Sequence, residues 1–130
     1  MKKFIFLMFL NLLVISIGNS QNQDDEIFVF VEENPQFPGG DSERLKFLQN
    51  NITYPEKAME KGIQGTVYIT FIIEKDGSVT NVKVLRGIGG GCDEEAVRVI
   101  RKMPKWIPGK QRGKVVRCQF NMPIKFTLSE

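Results

Sequence analysis

The sequence predicts an α+β domain: a three-stranded antiparallel sheet with helices packed on one face. Three observations carry that expectation. Residues 65–74 and 78–86 are β-rich runs joined through Asp76-Gly77, which reverses a chain cheaply in a tight primed turn. Residues 92–103 space Cys92, Ala96, Val99, Ile100 and Met103 along one helical face. Residues 114–127 alternate strictly, with Val116, Cys118, Phe120, Met122, Ile124 and Phe126 on one face and Val115, Arg117, Gln119, Asn121 and Lys125 on the other.

The connections set the strand order. The second run, the helix and the last run form a crossover, so the second and third strands run in the same direction. An all-antiparallel sheet then needs the first strand between them, in the order 2-1-3. That strand carries Val67, Ile69, Phe71 and Ile73 on one face and Tyr68 and Ile72 on the other, as a central strand should. The third strand contains Pro123, tolerated only where its missing donor would face solvent. The third strand is therefore an edge.

The rest of the chain delivers or covers this hairpin. Residues 27–31 form a short β-like run able to add an edge strand or an N-terminal arm. Asn34-Pro35 and Phe37-Pro38-Gly39-Gly40 make a turn-rich linker. Asp41 or Ser42 caps a helix running to about Asn50, and Tyr54-Pro55 opens a shorter helical piece that Gly62 stops. Trp106 stands in the turn before the last strand, where a lone tryptophan packs the turn onto the core.

Met1-Lys2-Lys3 followed by an apolar run from Phe4 to Gly18 has the form of an export signal, with small residues at Gly18 and Ser20. The expected division is a leader over 1–20, an arm and linker over 21–40, and a globular domain over 41–130. Cleavage before Gln21 is one fate of the leader; retention as an anchor is the other.

Several function classes fall away. The formal charge of +3 drops to +1 without Lys2 and Lys3, too little for phosphate-backbone binding, so nucleic acid is not an expected partner. Histidine is absent, and neither a nucleophile motif nor a metal-ligand cluster occurs; no enzyme, cofactor, metal or small-molecule substrate is expected. The glycine-rich loop from Gly87 to Gly91 leads into Asp93, Glu94 and Glu95, which repel phosphate, and no Lys-Ser/Thr pair follows. Cys92 and Cys118 both point to the core, either as buried free thiols or as a disulfide tying helix to strand.

Tyr54-Pro55-x-x-Ala58, Gly62-Ile63-x-Gly65-x-Val67, Asp76-Gly77-x-Val79, Trp106-x-Pro108-Gly109-Lys110 and the final alternating strand occur in this order over roughly residues 41–128. This ordered set resembles the TonB C-terminal-domain family. The resemblance implies a non-catalytic, periplasmic binding module in TonB-dependent transport, or one anchored in the inner membrane and facing the periplasm. Its partner would be an extended segment of an outer-membrane receptor, or another periplasmic peptide, added as a strand beside the sheet. The implied edge is Val115, Val116, Arg117, Cys118, Gln119, Phe120 and Asn121, with Asn51, Thr53 and Tyr54 as accessory contacts. The alternative is a regulatory or structural module that forms a homodimer through this edge or competes with a full-length TonB. The chain departs from the family in lacking a proline-rich spacer and the membrane-helix histidine, which suggests a freestanding short form.

Overall fold

The computed structural model describes residues 25–129; the expected leader lies outside them. The strand Gly65–Ile73 (β2) forms the middle of the sheet. Its neighbours are Val79–Arg86 (β3) and Arg117–Phe126 (β6), both antiparallel to it. This is the order expected from the crossover. The β2–β6 register runs unbroken from Gly65↔Phe126 to Ile73↔Cys118, whereas β3 is bulged against β2. Val67, Ile69, Phe71 and Ile73 are buried on the helix-covered face, and Ile72 is also buried on the other.

Among the described residues three helices cover one face: Asp41–Asn51 (α1), Glu56–Lys61 (α2) and Cys92–Arg101 (α3). α3 buries Cys92, Ala96, Val99 and Ile100, while Met103 lies just beyond its end and is half-buried. α1 differs from expectation at its start. Gly40 takes the N-cap position at φ 89° and no side chain caps the helix, so Asp41 and Glu43 act from within the first turn on the helix dipole. No residue of α1 is fully buried. Trp106 is 3% exposed and meets the rings of Phe37, Phe71 and Phe120 at 5.6, 5.9 and 5.0 Å, packing the turn onto the core as expected.

Three further expectations need correction. The Asp76-Gly77 reversal is not a two-residue primed turn. Gly77 N–H donates to the Glu74 carbonyl and only Gly77 has positive φ, giving a type I turn followed by a left-handed glycine. The last strand is not continuous from 114. Lys114–Val115 (β5) pairs with Lys110–Gln111 (β4) across a turn with positive φ at Arg112 and Gly113, and Val116 N–H is drawn to the Gly109 carbonyl. Finally, among the described residues the sheet has four strands rather than three: the run expected as an edge strand or arm supplies Ile27–Phe28 (β1), which joins β6 in parallel and gives the order β1-β6-β2-β3.

Candidate partner-binding edge

The outer side of β6 can be assigned group by group. Residues of an antiparallel strand aim their N–H and C=O alternately at either neighbour. Pro123 has no N–H, yet stands opposite Tyr68 in an unbroken register, so its backbone groups face away from β2. Alternation then turns Arg117, Gln119, Asn121 and Lys125 outward as well. The parallel register of β1, with Ile27 opposite Arg117 and Phe28 opposite Cys118, places Phe28 between Arg117 and Gln119. Phe28 N–H meets the Arg117 carbonyl, and the Phe28 carbonyl meets Gln119 N–H. Beyond that point, among the described residues, β6 has no strand partner on its outer side.

The expected edge, Val115 to Asn121, is therefore free only in part. Val115 is held by Lys110, Val116 by Gly109, and Arg117 and Cys118 lie beside β1. Phe120 points its backbone toward β2, opposite Phe71. What remains open is the Gln119 carbonyl, both groups of Asn121, the Pro123 carbonyl and both groups of Lys125. A period-2 pattern identifies the strand, and the β-like run at 27–31 offers an edge strand, but neither tells that Ile27 and Phe28 pair beside Arg117 and Cys118.

A groove of about 490 Å³ runs beside this open half. It is lined by Leu45, Leu48 and Ile52 at the α1 end, by Tyr54, and by Pro123 to Phe126 of β6. Leu45 is 57% exposed, an apolar side chain on a helix face that nothing fully covers. These α1 positions escaped the sequence reading, which treated the helix as core cover; its lack of buried residues shows only in three dimensions.

The three expected accessory residues sit at the junction of α1, α2 and α3. Asn51 caps its own helix through Nδ2 to the Phe47 carbonyl at 2.8 Å, and its carbonyl accepts from Arg98 at 2.8 Å. Thr53 N–H donates to Glu95 at 2.7 Å. The Tyr54 hydroxyl donates to the Ile63 carbonyl, and its ring meets Phe126 edge-on at 5.6 Å. Hydrogen bonds from Arg98, and secondarily from Thr53, hold the Glu95 carboxyl below its ordinary range. Asn51 and Thr53 are thus spent on joining helices; only Tyr54 also lines the groove.

The two cysteines do not pair. Cys92 lies near Tyr54, next to Gly91, which sits against Pro55, at the end of the sheet where β2 begins, whereas Cys118 stands opposite Ile73, where β2 ends. Nine residues of strand separate those ends, on the order of 25 Å at strand rise, against the roughly 7 Å limit between Cα atoms that a disulfide allows. Burial pushes both thiols up. The glycine-rich loop is occupied from within: Asp93 accepts from Ile88 N–H at 2.8 Å and Gly89 N–H at 3.3 Å. Among the described residues no cluster of metal-ligating side chains occurs, and no helix is long and apolar enough to cross a membrane.

These features define a class, a small α+β domain with helices on one sheet face and half of one strand edge open. Residues 50–128 match the family described as Gram-negative bacterial TonB protein C-terminal. The chain belongs to the TonB C-terminal family. Protein TonB of one Helicobacter pylori strain is 42% identical over 98 residues, which cover 72% of this chain and 33% of that protein. A second strain's TonB is 42% identical over 53 residues, covering 38% and 19%. This chain thus spans about a third of the length of the longer match. The solution structure of the Helicobacter pylori TonB C-terminal domain is similar at TM-score 0.51 and 26% identity, covering 68% of this chain and 94% of that one. The Pseudomonas aeruginosa TonB C-terminal domain gives 0.50 and 28%, covering 61% and 80%.

Proposed function

We propose that this protein is a non-catalytic, periplasm-facing module of TonB-dependent transport that takes an extended segment of an outer-membrane receptor as an added strand on β6. The observation that carries this reading is the run of outward-facing backbone groups from Gln119 to Lys125 beside the α1 groove. A strand added there would gain ladder hydrogen bonds at Gln119, Asn121 and Lys125. Its alternate side chains would fall on the helix side, against Leu45, Leu48 and Ile52, and the others would stay on the wet face. Affinity would come from the backbone and selectivity from the groove. On this reading the binding site lies C-terminal to the span the sequence suggested, with Gln119 and Asn121 common to both.

Two variants test it by titration with peptides from the periplasm-facing N-terminal segments of outer-membrane receptors. Asn121→Pro removes an outward donor without touching the β2 ladder, as Pro123 already does, and Leu48→Lys places a charge in the groove. Each is expected to weaken binding about fivefold or more, the loss of a ladder bond alone being worth ~1 kcal/mol, while the far-ultraviolet circular dichroism stays unchanged. Undiminished binding by both folded variants rejects this edge.

A further inference from the structure

We infer that the N-terminal arm is an internal competitor for the partner edge: residues 25–28 occupy the first part of the β6 ladder and leave when a partner strand extends along it. This rests on the reading of β6 as the partner site. The arm is held in two unequal parts. Downstream it is anchored firmly. Glu33 exchanges two backbone hydrogen bonds with Lys110 at 3.0 and 2.9 Å, and Gln36 exchanges two with Ile107 at 3.0 and 2.8 Å. Glu32 reaches both Gln111 and Arg112, and Phe37 is buried in the core. Upstream the hold is slight. β1 is two residues long, and its Ile27 is 40% exposed. Val29 and Phe30, which lead from it to the anchor, are 62% and 89% exposed. One further bond, from Arg117 to the Asp25 carbonyl at 2.9 Å, completes it.

A parallel ladder two residues long buries little and is weak by itself. The anchor at Glu32 and Glu33 nevertheless keeps the segment within a few residues of β6, at an effective concentration that a free peptide must exceed. The arm thus fills Arg117 and Gln119 in the resting chain, and opens without disturbing the buried linker at Phe37. A partner gripping only residues 121–125 meets no competition. One that runs on toward Arg117 must eject the arm, and its apparent affinity falls by the fraction of chains in which the arm is already off.

The test uses the full chain and a synthetic probe with the arm's own sequence, Asp-Glu-Ile-Phe-Val-Phe-Val, blocked at both ends. Phe28→Pro removes the donor to Arg117. Ile27→Gly with Phe28→Gly weakens the same strand without proline, in case the first variant folds poorly. In the unaltered chain the Gln119 amide should exchange with solvent more slowly than that of Asn121. In the variants the two should exchange alike, and the probe should bind roughly tenfold tighter than to the unaltered chain. Equal exchange of Gln119 and Asn121 in the unaltered chain overturns the inference. Equal probe affinity for chain and variants overturns it too, yet leaves β6 as a partner edge. Absence of probe binding in variants whose Gln119 amide has opened overturns the edge reading itself, and the inference with it.

Discussion

Arg117 donates to both oxygens of Glu74, at 2.7 and 3.2 Å, and thereby clamps the start of β6 to the residue that follows β2. Thr80 adds a hydroxyl to the same carboxylate at 2.5 Å. The third guanidinium nitrogen reaches back to the arm at the Asp25 carbonyl. One side chain of β6 therefore reaches both the end of the central strand and the N-terminal arm.

The clamp makes stability depend on pH in a definite sense. The hydrogen bond from Arg117 is the main reason that Glu74 sits below the ordinary carboxylate range, with desolvation acting against it. A depressed folded pKa stabilises the fold above the unfolded value of about 4.3, and that stability is lost as pH falls through the lower folded value. Glu74→Gln should cost about 1–2 kcal/mol at neutral pH, as a partly exposed charge-assisted pair does. Urea titrations near pH 7 and near pH 3 should show the gap between variant and unaltered chain closing in acid. A gap unchanged by pH would mean that the carboxylate's charge contributes nothing.

Gly77 is fixed by two independent constraints. Its φ is 89°, and an added Cβ would lie 2.0 Å from the Trp106 carbonyl oxygen, while its own carbonyl accepts Trp106 N–H at 2.8 Å. Gly77→Ala should therefore cost roughly 2–3 kcal/mol, more than the backbone strain of a left-handed residue by itself. A lowered urea midpoint with an unchanged slope is the expected reading. Gly113, at φ 74° with open space around its Cβ position, is the control and should lose only about 1 kcal/mol on mutation to alanine.

Both thiols should be present and slow to react. Burial raises the pKa of each, and acidic neighbours Asp93 and Glu94 raise that of Cys92 further. Alkylation at neutral pH should modify neither thiol in the folded chain within minutes and both once the chain is unfolded. Purified protein lighter by two hydrogens, with no alkylation after unfolding, would show a disulfide and contradict the separation across the sheet.

Much of the fold was legible in local pattern, because burial imposes a period on any element long enough to show it. The alternation of Val67, Ile69, Phe71 and Ile73, the helical spacing of Cys92, Ala96, Val99 and Ile100, and the crossover connection suffice for the core face and the order of the three long strands, though not for β1 beside the last of them. The ordered Tyr54-Pro55, Asp76-Gly77 and Trp106-x-Pro108-Gly109 motifs sufficed for the family.

The candidate site was legible only in outline. Its strand was evident, but which half of that strand is open was not. Ile27–Phe28 is too short to carry a period, and its partner lies about ninety residues away, a separation whose closure no local propensity reports. Likewise, the break at Val116 comes from a carbonyl on Gly109, and the gap between Cys92 and Cys118 from the length of β2. Period and composition decide which face of an element is buried. Only the tertiary structure decides which backbone groups are already taken, because a hydrogen bond between distant strands depends on where both chains lie.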